Sequence, residues 1–156
     1  MDLEKYISKD LLFTDIAASS KPELLQRIIA RLCAKRPVLQ PDAIYREIIK
    51  REQSSSTGIG HGLAIPHCRM PGLDAIFITV CVCQTAVDYN AVDGVPVRIV
   101  FLVLGPETHP EEFLYVFAEL AKKMSIPELR ENILQAHTPE EIYRRLTAEK
   151  FPLSHG

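Results

Sequence analysis

Two runs of the sequence, Ile76 to Cys83 and Val97 to Leu104, are apolar almost without interruption. A strand wetted on one side alternates apolar and polar residues, so runs like these belong to central strands covered on both faces. Helices must then lie on both sides of the sheet. The chain marks where they start. Ser20-Lys21-Pro22-Glu23, Thr108-His109-Pro110-Glu111, Ser125-Ile126-Pro127-Glu128 and Thr138-Pro139-Glu140-Glu141 repeat one signal: a hydroxyl N-cap, a proline in the first turn and a glutamate three residues on. After the first, Leu24, Leu25, Ile28, Ile29, Leu32 and Cys33 make a single apolar stripe ending near Arg36-Pro37. A second helix, from Pro41 to about Arg51, repeats it with Ile44, Tyr45, Ile48 and Ile49. A third, from about Pro110 to Met124, is expected to bury Phe113, Leu114, Phe117, Leu120 and Met124, and shorter helices follow from Pro127 and Pro139. Leu11, Leu12 and Phe13 read as the first strand. The fold class expected is α/β, a mixed β-sheet sandwiched by helices on both faces. At 156 residues it fits one domain, residues 1–150, with an aperiodic tail at 151–156.

Between the second helix and the first long strand lies Ser54 to Arg69, SSSTGIGHGLAIPHCR. Glycines at alternate positions (Gly58, Gly60, Gly62) rule out a helix, permit left-handed backbone and let main-chain N–H groups approach a ligand, which favours an anion. Leu63 to Pro66 reads as a short strand or strand entry, so His67 sits where a strand meets a loop and is held by the backbone. A histidine beside a proline is more often structural than catalytic. Here a glycine-rich loop and a hydroxyl cluster stand directly upstream. A neutral imidazole, with a pKa near ~6.5, can attack a phosphoryl group and hold it covalently. Loop N–H groups, Ser/Thr hydroxyls and an arginine are suitable donors to the phosphoryl oxygens.

The run STGIGHGLAIPHCR, with Lys50-Arg51-Glu52 before it, resembles the phosphorylation-site segment of enzyme IIA domains of the fructose/mannitol class, components of the bacterial sugar phosphotransferase system. Val87 to Pro106, VDYNAVDGVPVRIVFLVLGP, resembles the turn, Asp-Gly-x-Pro-Val and apolar strand of the same domains. The nitrogen-regulatory members are the most similar by motif. The resemblance implies a mannitol/fructose enzyme IIA-like fold and a phosphoryl group carried on His67, taken from an HPr-like phosphocarrier. It implies that Arg51 lies beside that histidine and that Ser56 and Thr57 are phosphoryl ligands. It also implies onward transfer to an enzyme IIB or control of regulated target proteins, with no cofactor. Three positions depart from the pattern. Phe113 stands where a second histidine usually faces the first, His61 replaces an asparagine, and Cys68 replaces a glycine. His61 or His109 is then the candidate to supply the missing polar partner and, for His61, to help stabilise the phosphoryl group. The alternative is a degenerate domain that keeps the fold as an interaction or regulatory module without efficient transfer.

Composition narrows the remaining classes. A net charge of -2 argues against a nucleic-acid partner held by bulk electrostatics. No apolar run approaches the ~20 residues of a membrane helix, and Met1-Asp2-Leu3-Glu4 is acidic where a signal peptide is basic, so no membrane insertion and a cytoplasmic location are expected. Cys33, Cys68, Cys81 and Cys83 include no CxxC pair and read as reduced, structural thiols. His61, His67 and Cys68, with His109 as a fourth, offer metal-ligating atoms, but their spacing matches no structural zinc pattern and no metal is expected. Gly58, Gly60 and Gly62 fit GxGxG while Leu63 breaks GxGxxG, and no GxxxxGK[ST] occurs, so neither a dinucleotide nor ATP is expected.

Overall fold

The computed structural model of the chain describes residues 3–148; the tail read at 151–156 lies outside them. After a turn of 3-10 helix at Leu3–Tyr6 come β1 (Ile7–Phe13), α1 (Lys21–Lys35), α2 (Pro41–Ser54), β2 (Gly58–Gly60), β3 (Leu63–Ala64), β4 (His67–Met70), β5 (Phe77–Val87), β6 (Val97–Pro106), α3 (Pro110–Met124), α4 (Pro127–Leu134) and α5 (Pro139–Thr147). The sheet order is β1-β5-β6-β3-β2, with β4 also on β6. β1 runs parallel to β5 and β5 antiparallel to β6, so the sheet is mixed as expected.

The two apolar runs lie at the middle of this sheet and are longer than the sequence indicated. Alternate residues of β6 point to opposite faces. Val100, Leu102 and Leu104 join Leu11, Phe13, Cys81 and Cys83 under the stripes of α1 and α2. Ile99, Phe101 and Val103 join Leu12, Ile78, Val80 and Val82 under α3, α4 and α5. Leu24, Leu25, Ile28 and Leu32 are wholly shielded from water. Truncating any one of them to alanine opens a cavity in a close-packed layer, at a cost of about 2–5 kcal/mol.

The helix starts divide into two kinds. Ser20 Oγ accepts from Glu23 N at 3.2 Å and Thr138 Oγ1 from Glu141 N at 3.1 Å, so α1 and α5 are capped as the signal predicts. Their glutamates reach one residue further back than the usual box, to Ser19 N and His137 N. α3 and α4 instead begin behind His109 and Ile126, with no side-chain cap. His109 is left-handed (φ 58), which turns Thr108 out of the capping position, and Ser125 is spent closing α3, its Oγ donating to Lys122 O at 2.6 Å. The buried stripe of α3 is Phe113, Val116, Leu120 and Met124; Leu114, expected in the core, is 65% exposed. α2 continues three residues past Arg51, which takes Ser54 out of the loop and into the helix.

The local geometry that matters most is at the end of the sheet. Leu63 pairs with Ile99 and Ala64 with Val100, and the same parallel register resumes with His67 opposite Val103 and Cys68 opposite Leu104. β3 and β4 are therefore two pieces of one line along β6. The gap between them is Ile65-Pro66, where the proline ring has no N–H to give the ladder, although Pro66 O still accepts from Val103 N at 2.9 Å. Because register is kept, the period of two is kept as well. Leu63 and Ile65 face α3, Ala64, Cys68 and Met70 face α1 and α2, and His67 falls on the α3 side. β2 pairs with β3 only, so β4 has no strand on its outer edge among the described residues.

Candidate active site

His67 opens β4 at that bare edge. Its Nδ1 donates to Ile65 O at 2.8 Å, since a carbonyl can only accept. The neutral ring then carries its lone pair on Nε2. Phe117 meets the imidazole edge-on at 4.7 Å between centroids, and Phe113 lies tilted at 6.2 Å. Burial pushes the His67 pKa below its ordinary value and the Arg51 charge adds to this, while the Ile65 carbonyl and Glu52 pull the other way without prevailing. At neutral pH the group is an uncharged nucleophile. Cys68 beside it is not, because burial lifts its thiol to about 12.

A cleft of about 630 Å³ opens in front of this ring, between α2 on one side and the start of α3 on the other. Glu47, Lys50, Arg51 and Ser54 face it from α2, at the i, i+3, i+4, i+7 spacing of one helix face. Arg69 enters from β4, two residues beyond His67, and Glu107 from the turn before α3. Pro110, Phe113 and Leu114 close the opposite wall. Among the described residues neither Lys50 nor Arg69 has an ion-pair partner, and Arg51 spends one guanidinium nitrogen on Ser55, at 3.0 Å to its carbonyl. Three cations thus line the cleft that holds a neutral imidazole, an arrangement suited to a dianionic group placed on Nε2.

The upstream hydroxyls have other partners. Glu52, at the end of α2 and 8% exposed, accepts on Oε1 from Lys21 Nζ at 2.8 Å and Thr57 N at 3.0 Å. Its Oε2 accepts from Thr57 Oγ1 and, at 3.2 Å, from Tyr89 OH. The Lys21 ammonium also sits 4.3 Å from the centroid of the buried Tyr89 ring. Ser56 Oγ donates to Tyr89 O and accepts from Gly58 N, both at 3.1 Å. These groups fasten the glycine loop to α2 and to the segment around Tyr89. The left-handed run Gly60-His61-Gly62 (φ 101, 58 and 76) makes the sharp turn, and His61 N donates to Asp93 Oδ2 at 2.9 Å. His61 is exposed and lines a separate cavity of about 230 Å³ with Ile59 and Arg130. His109 is exposed at the start of α3, next to Pro110 but outside the cleft lining.

Of the residues singled out from the sequence, the structure brings His67, Arg51 and Phe113 together and leaves Ser56, Thr57, His61 and His109 outside the cleft lining. Lys50, Arg69 and Phe117 were not singled out. Their signals are periodic: Lys50 shares a helix face with Arg51, Arg69 a strand face with His67, and Phe117 follows Phe113 by one helical turn. No group of three or more His, Cys, Asp or Glu among the described residues is placed to hold a metal ion, and no helix there is long and apolar enough to cross a membrane.

The family model for the phosphoenolpyruvate-dependent sugar phosphotransferase system, EIIA 2, matches residues 5–149. A nitrogen regulatory protein of Pseudomonas aeruginosa is 30% identical over 142 residues, covering 91% of this chain and 92% of that one. The crystal structure of the nitrogen regulatory protein IIA-Ntr from Neisseria meningitidis superposes with a TM-score of 0.87 at 29% identity, covering 93% of this chain and 99% of that one. Enzyme IIAMTL from Escherichia coli, solved in complex with phosphorylated enzyme IIBMTL, shares the fold at a TM-score of 0.72 and 16% identity, covering 90% of this chain and 96% of that one.

Proposed function

Because the chain belongs to the EIIA 2 family of the phosphoenolpyruvate-dependent sugar phosphotransferase system, we propose that it is a phosphoryl carrier whose accepting atom is Nε2 of His67. The donor is a phosphohistidine on an HPr-like phosphocarrier, met in the cytoplasm. The Nε2 lone pair attacks phosphorus, the N–P bond to the donor breaks, and its electron pair returns to the donor's ring. Nδ1 keeps its proton, because Ile65 O accepts but cannot remove it. The phosphorylated ring is then an N-phosphoimidazolium, a good leaving group toward an aligned nucleophile on a partner, and it returns to the neutral tautomer once the group is passed on. Roughly two negative charges arrive with the phosphoryl group, and Arg51, Lys50 and Arg69 are the charges that balance them. The step uses no cofactor. Ser56 and Thr57 contribute by fixing the loop and the end of α2, which aims Arg51.

The observation that carries this reading is the geometry of His67 itself, one nitrogen tied to a carbonyl and the ring lining a cleft with three cations. The likeness to nitrogen regulatory proteins favours a regulatory use of the phosphorylation state, and the complex of the mannitol enzymes favours transfer to an enzyme IIB. A second reading, an interaction module that transfers poorly, draws on one observation, the phenylalanine where a polar partner would face His67. Incubation with phosphoenolpyruvate, enzyme I and the cognate HPr-like carrier separates the two. One acid-labile phosphate per chain, absent from His67→Ala, is the expected result. Label retained by His67→Ala, or never taken up by the unaltered chain, overturns the carrier reading.

A further inference from the structure

The α3 wall of the cleft contains nothing that can give or take a proton. Its residues there are Pro110, Phe113 and Leu114, with Phe117 against the imidazole behind them. Phe113 is not a movable lid. It is 6% exposed and rests on Gly105, where a β-carbon would come within 2.4 Å of its Cδ1, so the backbone of β6 is notched to seat this ring. His67 is thereby fixed from three directions: by Ile65 O at Nδ1, by the edge-on contact with Phe117, and by Phe113. The charged groups that line the cleft come from other elements: Glu47, Lys50 and Arg51 from α2, Arg69 from β4, and Glu107 from the turn before α3.

We propose that Phe113 and Phe117 are positioning residues that make His67 a holding nucleophile: they lock the ring with Nε2 toward the cleft and keep its α3 side dry and aprotic, so a phosphoryl group stays until a partner removes it. The proposal rests on the accepting Nε2 of the carrier reading above, not on the identity of the donor, and adds the lifetime of the loaded state. Loss by hydrolysis requires water to attack phosphorus, the P–Nε2 bond to break with its electron pair returning to the ring, and the water's proton to reach a base. An imidazole at position 113 would be such a base, and a positioned base is worth about 10²–10⁴ in rate. Phenylalanine offers none. Burial of the resting imidazole also disfavours its protonation, which keeps it ready for reloading.

The test loads the full chain with phosphoramidate, a small phosphoryl donor that needs no carrier protein, and follows phosphohistidine by ³¹P NMR after the donor is removed. Phe113→His is expected to shorten the half-life at pH 7 by about tenfold or more, and Phe117→Ala by less. In the unphosphorylated chain, ring-proton NMR should show the His67 pKa rising toward its ordinary value in Phe117→Ala and staying put in Phe117→Leu, which preserves the apolar cover. Equal half-lives for the unaltered chain and a folded Phe113→His, or an unmoved titration in Phe117→Ala, overturn the proposal. If Phe117→Ala does not fold, the Phe113→His half-life decides alone. A chain that phosphoramidate loads and that holds its phosphate, yet refuses the HPr-like carrier, refutes the carrier reading and supports this one. Loading by the carrier with one half-life in all variants refutes this one alone. An unaltered chain that phosphoramidate cannot load overturns the exposed Nε2 on which both depend.

Discussion

On the α2 side of His67 the polar groups near the glycine loop are bound to one another, whereas on the α3 side the imidazole meets only carbon. Glu52 takes in Lys21, Thr57 and Tyr89, and Ser56 bridges Gly58 and Tyr89. Phe113 and Phe117 cover the opposite side of the ring with no hydrogen-bonding atom. The contrast separates two uses of polarity that look alike in sequence. The Ser56-Thr57-Gly58 part of the hydroxyl and glycine cluster is a fastener, at least half-buried and internally satisfied. The charges suited to a phosphoryl group come from less conspicuous places, the outer stripe of α2 and the exposed positions of β4.

The sharpest way to break the contrast is to unfasten the polar side. Glu52→Ala leaves the Lys21 ammonium and two hydroxyls without their shared acceptor, so it should destabilise the fold by about 2–4 kcal/mol, near the lower end of what a broken buried ion pair costs because Lys21 keeps some contact with water. Urea unfolding measures this. A loss under about 0.5 kcal/mol, the size of an ordinary surface change, would mean the network is decorative and the loop is held by Gly58, Thr57 and Ile65 backbone bonds alone.

Arg51→Ala tests the reactive side and should do the opposite, sparing the fold and slowing phosphotransfer about tenfold to a hundredfold, the worth of a charge-assisted donor at about 1.5–3 kcal/mol. Single-turnover transfer from the phosphocarrier reads it. An unchanged rate would pass the role to Lys50 and Arg69.

These two residues, adjacent in sequence and opposite in role, also mark how much could be read in advance. The sandwich, the central strands and the place of His67 at a strand start were legible because periodicity and the Pro-His junction are local signals. So was the placement of Arg51, through the resemblance. The roles of Ser56 and Thr57 were not, because hydroxyls are equally good at binding a phosphate and at satisfying a buried carboxylate, and only the fold brings Tyr89 and Lys21 within reach. Leu114 was misplaced for a similar reason: a leucine next to a buried phenylalanine reads as core, but the wall of an open cleft also takes apolar residues. The left-handed turn at His109 carries no sequence signature that would have displaced the Thr108 cap.

The apolar side predicts a pH signature. The pKa of His67 is lower in the fold than in the unfolded chain, so unfolding takes up a proton at mildly acidic pH. Its contribution to stability is therefore complete above the ordinary 6.5 and is lost as pH falls through that value toward the lower folded-state pKa. Phosphate acceptance should correspondingly fall off at a lower pH than it would for a freely solvated histidine, which has lost half its neutral form at 6.5. Transfer rates measured across mildly acidic pH decide it, with His67→Gln as the control for stability. A rate that halves at 6.5 would show that the phenylalanines do not dry the ring.

The smallest effect expected is at His61, and it bears on whether the two sides of the site exchange roles. The sequence made this histidine a substitute for the partner missing at Phe113. Its main chain is left-handed between two glycines that are left-handed as well, its N–H is bound to Asp93, and its side chain lines a different cavity from His67. Asparagine adopts this backbone more readily than histidine, because its short amide can bond locally where an imidazole cannot. His61→Asn should therefore leave the transfer rate within about twofold, since a group outside the reacting cleft contributes little to the barrier, and raise stability by about 0.5 kcal/mol or less as the left-handed strain eases. Thermal unfolding and single-turnover transfer on the same preparation measure both. A tenfold slower transfer at unchanged stability would mean that the loop swings His61 into the cleft when phosphate arrives, and the polar side would then supply what α3 withholds.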